Sequence, residues 1–322
     1  MATEIRTYQP SDLPALTALI HHASLADDLE ALQGPHAVEA WLADPFNDLA
    51  LLELAFENGE PAAFAGVLAL RGLRGGFALV RLGVLDRFRR RGLGSHLLRR
   101  ALEGIDRRHP DVIEVFGTFW SPNATAAAFA AAHGHRHVRN FWLMERPRGA
   151  IAEPQWPPGI RLESHDGSER QYGDLAMAYN DSFAHHYHFA TASPAEMRAF
   201  YERPGERTDG LVLAYRGHSC VGFCRSELHA ARGEVAVLGT THAARGIGLG
   251  RALLRWGVQW LERENPGHVT LVVDGENENA LQLYRSEGFD VARTRVTWAR
   301  DRAPTGARAA DPHASSTTSR ET

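Results

Sequence analysis

The pattern Arg-x-x-Gly-x-Gly occurs twice in this 322-residue chain, as Arg89-Arg90-Arg91-Gly92-Leu93-Gly94 before Ser95 and as Arg245-Gly246-Ile247-Gly248-Leu249-Gly250 before Arg251. Each copy follows an apolar run that contains Leu-Gly, Leu82-Gly83-Val84 in the first and Leu238-Gly239-Thr240 in the second, and each opens an amphipathic segment. The chemistry these residue types suit is anion capture. Glycines let backbone N–H groups turn inward and approach a ligand closely, a helix N-terminus adds about half a positive charge, and an arginine supplies a charge-assisted donor. A diphosphate fits such a loop. A glycine-rich turn can share the wording, but two occurrences in equivalent contexts favour the ligand, and neither copy is a dinucleotide fingerprint or a Gly-Lys-Ser/Thr phosphate loop.

The elements that must carry the loops also repeat. Arg89 and Arg245 stand 156 residues apart, Ile5-Arg6 and Ile160-Arg161 155, and Asn123 and Asn277 154. In the second copy, 211–215 and 220–224 flank the turn Arg216-Gly217-His218-Ser219 and predict a hairpin; 235–240 predicts a third strand. Leu253, Trp256, Gly257, Trp260 and Leu261 recur at helical spacing after the loop, 269–273 reads as a strand, and a polar start at 274–279 leads into a helix with Ala280, Leu281, Leu283 and Tyr284 that stops at Gly288-Phe289. The expected class is α/β, with domains at 1–146 and 160–300, a proline-stiffened linker at 147–159, and a disordered Ala/Ser/Thr/Pro-rich tail at 301–322.

Composition narrows the function. With 44% hydrophobic and 23% charged residues the chain can bury two ordinary cores, and a net charge of -4 argues against a nucleic-acid partner. No signal peptide is evident and no apolar run approaches the roughly 20 residues of a membrane helix, so a soluble cytoplasmic protein without a membrane partner is expected. Cys220 and Cys224, four apart on a strand, would share a face as reduced core thiols. All 35 basic residues are arginine, so any anion site must use guanidinium or backbone N–H groups, and no Schiff-base lysine is available.

These motifs resemble the GNAT superfamily of N-acetyltransferases over nearly the whole chain. In that family the Arg-x-x-Gly-x-Gly loop takes the pyrophosphate of coenzyme A and the preceding strand pairs with the pantetheine arm. An Asn-x-x-Ala segment followed by Leu-Tyr-x-x-x-Gly-Phe completes the thioester pocket. The resemblance implies two tandem folds of this type, each a mixed, mostly antiparallel central sheet flanked by helices. It implies coenzyme contacts at Leu238, Gly239, Thr240, Arg245 to Arg251, Asn277 and Ala280, and in the first copy at Leu82, Gly83, Val84, Arg89 to Ser95 and Asn123. Acetyl-CoA is the implied co-substrate, with no metal. The tandem arrangement further resembles members that acetylate the cysteinyl amine of a small thiol.

Direct transfer to an amine needs a base to make the nitrogen nucleophilic and a donor for the departing thiolate. Glu234, opening the strand that ends in the loop, is the candidate base, and Tyr284 the candidate acid. Backbone N–H groups near 238–240 would polarise the acyl carbonyl. By the same offsets the first copy has Ala78 for Glu234, Ala130 for Tyr284, and His135 for the closing Phe, so chemistry is expected in the second domain and scaffolding or coenzyme binding in the first. Among Tyr179 to Phe189, His185 and Tyr187 are candidates for the acceptor groove; the cluster His185, His186 and His188 could also be surface, and direct transfer asks no metal of it. His242, just before the second loop, has no assigned role. A small primary amine is the expected acceptor and a monomer the expected state. The alternatives are an antibiotic-type amine or peptide N-terminus as acceptor, or a non-catalytic acyl-CoA-binding sensor or interaction module.

Overall fold

The computed structural model describes residues 3–26, 35–72, 75–202, 207–229, 232–264 and 267–302; beyond residue 302 the expected tail lies outside the described residues. The first half runs β1 (Thr3–Thr7), α1 (Leu13–Ala26), α2 (Pro35–Leu42), β2 (Glu53–Glu57), β3 (Glu60–Gly72), β4 (Gly75–Val84), α3 (Leu93–Arg108), β5 (Val112–Ser121), α4 (Ala124–Ala132) and β6 (Arg136–Pro147). The second repeats that order with β7 (Ile160–Ser164), α5 (Glu169–Phe183), α6 (Pro194–Tyr201), β8 (Leu211–Arg216), β9 (Ser219–His229), β10 (Arg232–Thr240), α7 (Leu249–Arg263), β11 (His268–Asp274), α8 (Glu278–Ser286) and β12 (Asp290–Asp301). Tight turns set the hairpins: Asn58 and Gly59 both adopt positive φ between β2 and β3, and Gly217 does so between β8 and β9.

The sheets of the two halves are one. Its strand order is β1-β2-β3-β4-β5-β12-β6-β11-β10-β9-β8-β7, antiparallel except where β4 meets β5 and β10 meets β11. The halves exchange their last strands: β12 pairs with β5 of the first half, β6 pairs with β11 of the second, and β6 and β12 pair with each other at the centre. Residues beyond β6 are also tied down, since the buried Arg146 donates to the carbonyls of Gly149, Ala150 and Glu287 and to the Glu262 carboxylate, while Ile151 and Trp156 pack on the second core.

Following side-chain alternation across the paired strands places α3, α7 and α8 on one face of the sheet and α1, α2, α5 and α6 on the other. The α7 stripe, with Leu249, Leu253, Leu254 and Leu261 fully buried, packs on Val235, Val269 and Leu271; truncating one of these leucines to Ala would cost about 2–5 kcal/mol.

The exchange makes a prediction. A fragment starting at residue 148 lacks the strand that covers β11 from His268 to Asp274 and leaves β12 without both neighbours. Such open edges pair with other chains. The isolated second half should therefore aggregate or lack a cooperative thermal transition, and should stay monodisperse and unfold cooperatively when co-expressed with residues 1–147. A monomeric, cooperatively unfolding second half in size-exclusion and circular-dichroism measurements would contradict this.

Candidate active site

Both arginine-glycine loops adopt one backbone. Arg90 and Gly92 in the first, Gly246 and Gly248 in the second, have φ between 62° and 89°. These left-handed pairs turn successive N–H groups to one side. Gly92 and Gly248 are N-caps of α3 and α7 without a side-chain hydrogen bond, so no cap side chain covers the amides of the first helical turn. A Cβ added at Gly92, Gly246 or Gly248 would meet no atom within 4 Å, which leaves the ground above each loop open to a ligand.

The loop arginines also brace their surroundings. Arg89 donates from Nε to the Val84 carbonyl (3.0 Å) and pairs with Asp86; Arg245 donates from Nη2 to the Ser182 carbonyl at the end of α5 (2.9 Å). The residues closing the loops differ. Arg251 binds Ser286 and the buried Glu287, which also takes Arg255; burial opposes ionisation there, but the two guanidiniums hold the Glu287 carboxyl below its ordinary range. At the matching places in the first half, Ser95 Oγ meets Nε2 of His133 (3.0 Å), whose Nδ1 donates to the Phe129 carbonyl. Asn123 and Asn277 are helix caps, accepting from the amides of Ala126 and Ala280 at 2.9 and 3.1 Å. His242 donates its backbone N–H to Asp181.

Ahead of each loop the sheet splits. β10 is bonded to β11 only at Gly233 and Glu234, and β4 to β5 only from Gly76 to Leu79. Beyond these points Leu238, Gly239 and Thr240 pair with β9 alone, and Leu82, Gly83 and Val84 with β3 alone. Each split leaves one strand edge with backbone groups free for an extended ligand.

Glu234 stands at the apex of the second split, its side chain 20% exposed and 3.7 Å from Arg232. Gly233 and Val235 face α7, so Glu234 faces the α5 side, opposite Glu227 of β9. Tyr284, 9% exposed, lies on the other face in the α7–α8 core, edge-on to Phe289, and burial pushes its phenol up to about 12. In the first half the match to Glu234 is corrected by the structure. A bulge between Val235 and Val237 has no counterpart in β4, so the residue on the matching face is Leu79, whereas Ala78 packs against α3. Either way the carboxylate is missing.

A cleft of about 1250 Å³ opens in the first half and runs from Arg89, Gly92 and Ser95 past Arg81 to Glu234 of the second half. Ala130, at the place of Tyr284, lines it; the alanine-rich α4 has no buried residue and so leaves this space open. Arg81, Trp120, Arg295 and Trp298 were not singled out from the sequence. Only Arg81 carried a local signal, as a charge in the apolar run 77–84.

The 185–189 segment spans the two halves. Tyr187 donates to Glu114 of β5 (2.9 Å) and lies under Arg139, while His188 bonds Glu114, stacks on Phe77 at 4.6 Å and packs tilted against Phe116 at 4.0 Å. His185 is exposed, and burial lowers the pKa of His186. The three histidines thus diverge, and among the described residues no group of three or more His, Cys, Asp or Glu side chains could hold a metal ion. Cys220 and Cys224 are free, and burial pushes both thiols up to about 12; contrary to the expectation of a shared face, a bulge between them puts Cys220 against the α5 side and Cys224 in the α7 core. No helix of the described residues is long and apolar enough to cross a membrane.

Comparison with known proteins matches residues 17–135 and 175–289 to the acetyltransferase (GNAT) family. Mycothiol acetyltransferase of Thermobispora bispora is 30% identical over 293 residues, covering 87% of this chain and 93% of the relative. That of Geodermatophilus obscurus is 28% identical over 94% of this chain and 98% of its own. Among solved structures, a GCN5-related N-acetyltransferase from Sphaerobacter thermophilus aligns with a TM-score of 0.71 at 26% identity, over 93% of this chain and 95% of that one. A tandem GNAT protein from the clavulanic acid biosynthesis pathway shares the fold, with a TM-score of 0.70 at 17% identity over 94% and 99%.

Proposed function

Because the chain belongs to the acetyltransferase (GNAT) family, we propose that its second half carries an acetyl group from acetyl-CoA directly to the primary amine of a small acceptor, with Glu234 as base and Tyr284 as acid. The observation that carries this is that Glu234 stands at the β10–β11 split on the α5 face while Tyr284 lies on the opposite face, in the core against which Leu238 packs. A thioester lying in the split would meet an amine from the Glu234 side. Glu234, directly or through a water, takes the amine proton as nitrogen attacks the carbonyl carbon. The C–S bond then breaks, and the thiolate takes the Tyr284 hydroxyl proton. That phenol is protonated at ordinary pH, as an acid must be, and burial raises it further, to about 12.

The N–H groups at Gly246 to Gly250 and the Arg245 charge would hold the diphosphate, and the open edge of 238–240 the pantetheine arm. Arg251, Asn277 and Ala280 shape this pocket through the Glu287 pair and the α8 cap rather than as free donors. In the first half the same loop would bind coenzyme A without turnover, since Leu79 and Ala130 offer no acid or base. For the acceptor, the mycothiol acetyltransferase relatives favour a cysteinyl amine, seated on the α5 face near His185 and Tyr187. Acetyl transfer by a monomeric cytoplasmic enzyme completes the reading.

Calorimetric titration with coenzyme A separates the two loops. Arg89→Glu and Arg245→Glu should each weaken one of two sites by about tenfold or more, leaving the other intact. Unchanged affinity and stoichiometry in both variants would remove the diphosphate assignment.

A further inference from the structure

Arg81 lies on β4 two residues beyond Leu79, the last β4 residue paired with β5, and so stands where the first split opens. It lines the cleft together with Leu79, Leu82, Phe64 and Trp41, with its guanidinium 5.6 Å from the Trp41 ring centroid. Among the described residues no carboxylate forms an ion pair with it; Asp44 acts on it only at longer range, and a second guanidinium of the same cleft, Arg295, repels it. A guanidinium does not shed its charge in a protein, and a charge held in apolar surroundings is stabilised by a paired anion. The second half has no such group. Its matching residue, Val237, packs against the core of Phe223 and Tyr215.

We infer that the first half is a recognition site for a coenzyme A thioester whose acyl group carries its own carboxylate, with Arg81 as the partner of that carboxylate. The inference rests on the reading that the Arg89 loop takes the coenzyme diphosphate. An arm extended from that loop along the open edge of 82–84 brings the acyl group to the place where Arg81 and Leu79 line the cleft. An acetyl group offers Arg81 nothing; a malonyl or succinyl group offers a charge-assisted, two-pronged hydrogen bond. Leu79 and Ala130 supply neither a base nor an acid at the first split, and Glu234 lines this cleft from the split of the second half, so the ligand is held rather than consumed.

The test titrates the full chain carrying Arg245→Glu, so that the first half is read, with acetyl-CoA, malonyl-CoA and succinyl-CoA by calorimetry. The carboxylated thioesters should bind about tenfold tighter or more than acetyl-CoA. Arg81→Gln should erase the preference and Arg81→Lys retain part of it. Equal affinities for all three thioesters, or a preference that survives Arg81→Gln, would overturn the inference while leaving the coenzyme reading of the loop standing. Loss of neither site in Arg89→Glu would overturn both. Should Arg81→Gln fail to fold, the ligand series on the Arg81-containing chain and on Arg81→Lys decides the matter alone.

Discussion

Tyr284→Phe is expected to lower kcat by about 10²-fold or more while leaving the affinity for coenzyme A within about twofold of wild type. The substitution removes one oxygen from a ring that already packs in the α7–α8 core, so the core with Phe289, Leu281 and Leu253 is retained. What disappears is the phenol hydroxyl, which burial pushes up to about 12. The thiolate must then leave without a donor. A loss of about 10²-fold corresponds to roughly 2.7 kcal/mol of transition-state stabilisation. Since the phenol titrates so high, the wild-type rate should show no alkaline fall from this group below about pH 11. A variant as fast as wild type in single-turnover measurements would make Tyr284 a packing residue only.

Glu234→Gln should cost about 10²- to 10⁴-fold in kcat, the range for loss of a positioned base. The amide keeps the size and the strand position but takes no proton. Its signature separates it from a folding defect: the residual rate should rise with pH as the free amine fraction of the acceptor grows, because the enzyme no longer supplies the base. Glu227, opposite on β9, lies on the same face, so Glu227→Gln serves as a control for a general change of charge. A drop equal to that of Glu234→Gln would move the base to the pair.

The sequence exposed the parts of this molecule that are local. The two loops, the Gly217 hairpin, the α7 stripe and the polar start of α8 follow from glycine conformations, spacing and caps within a few residues. Asn277 illustrates the limit of a motif: its position was legible, but what the structure gives it is a cap on the Ala280 amide. The exchange of β6 and β12 was not legible, because pairings such as Thr294 with Ser121 join residues far apart in sequence, and alternation fixes which face a strand buries but not its neighbour. The bulge after Val235 escaped for a related reason. One extra residue shifts every later face, and offset counting across it named Ala78 where the geometry names Leu79. Tyr187 and His188 carried suggestive chemistry, yet what the structure shows is a clasp on Glu114 of the other half.

The central claim, a transferase in the second half acting on a cysteinyl amine, is tested most directly by thiol release from acetyl-CoA across a panel of amines that includes a cysteinyl-glucosamine mimic. The expected result is preferred turnover of the cysteinyl amine, falling sharply in Glu234→Gln and Tyr284→Phe while both still bind coenzyme A. Tight coenzyme binding with no turnover of any amine would contradict it and make the protein an acyl-CoA-binding sensor.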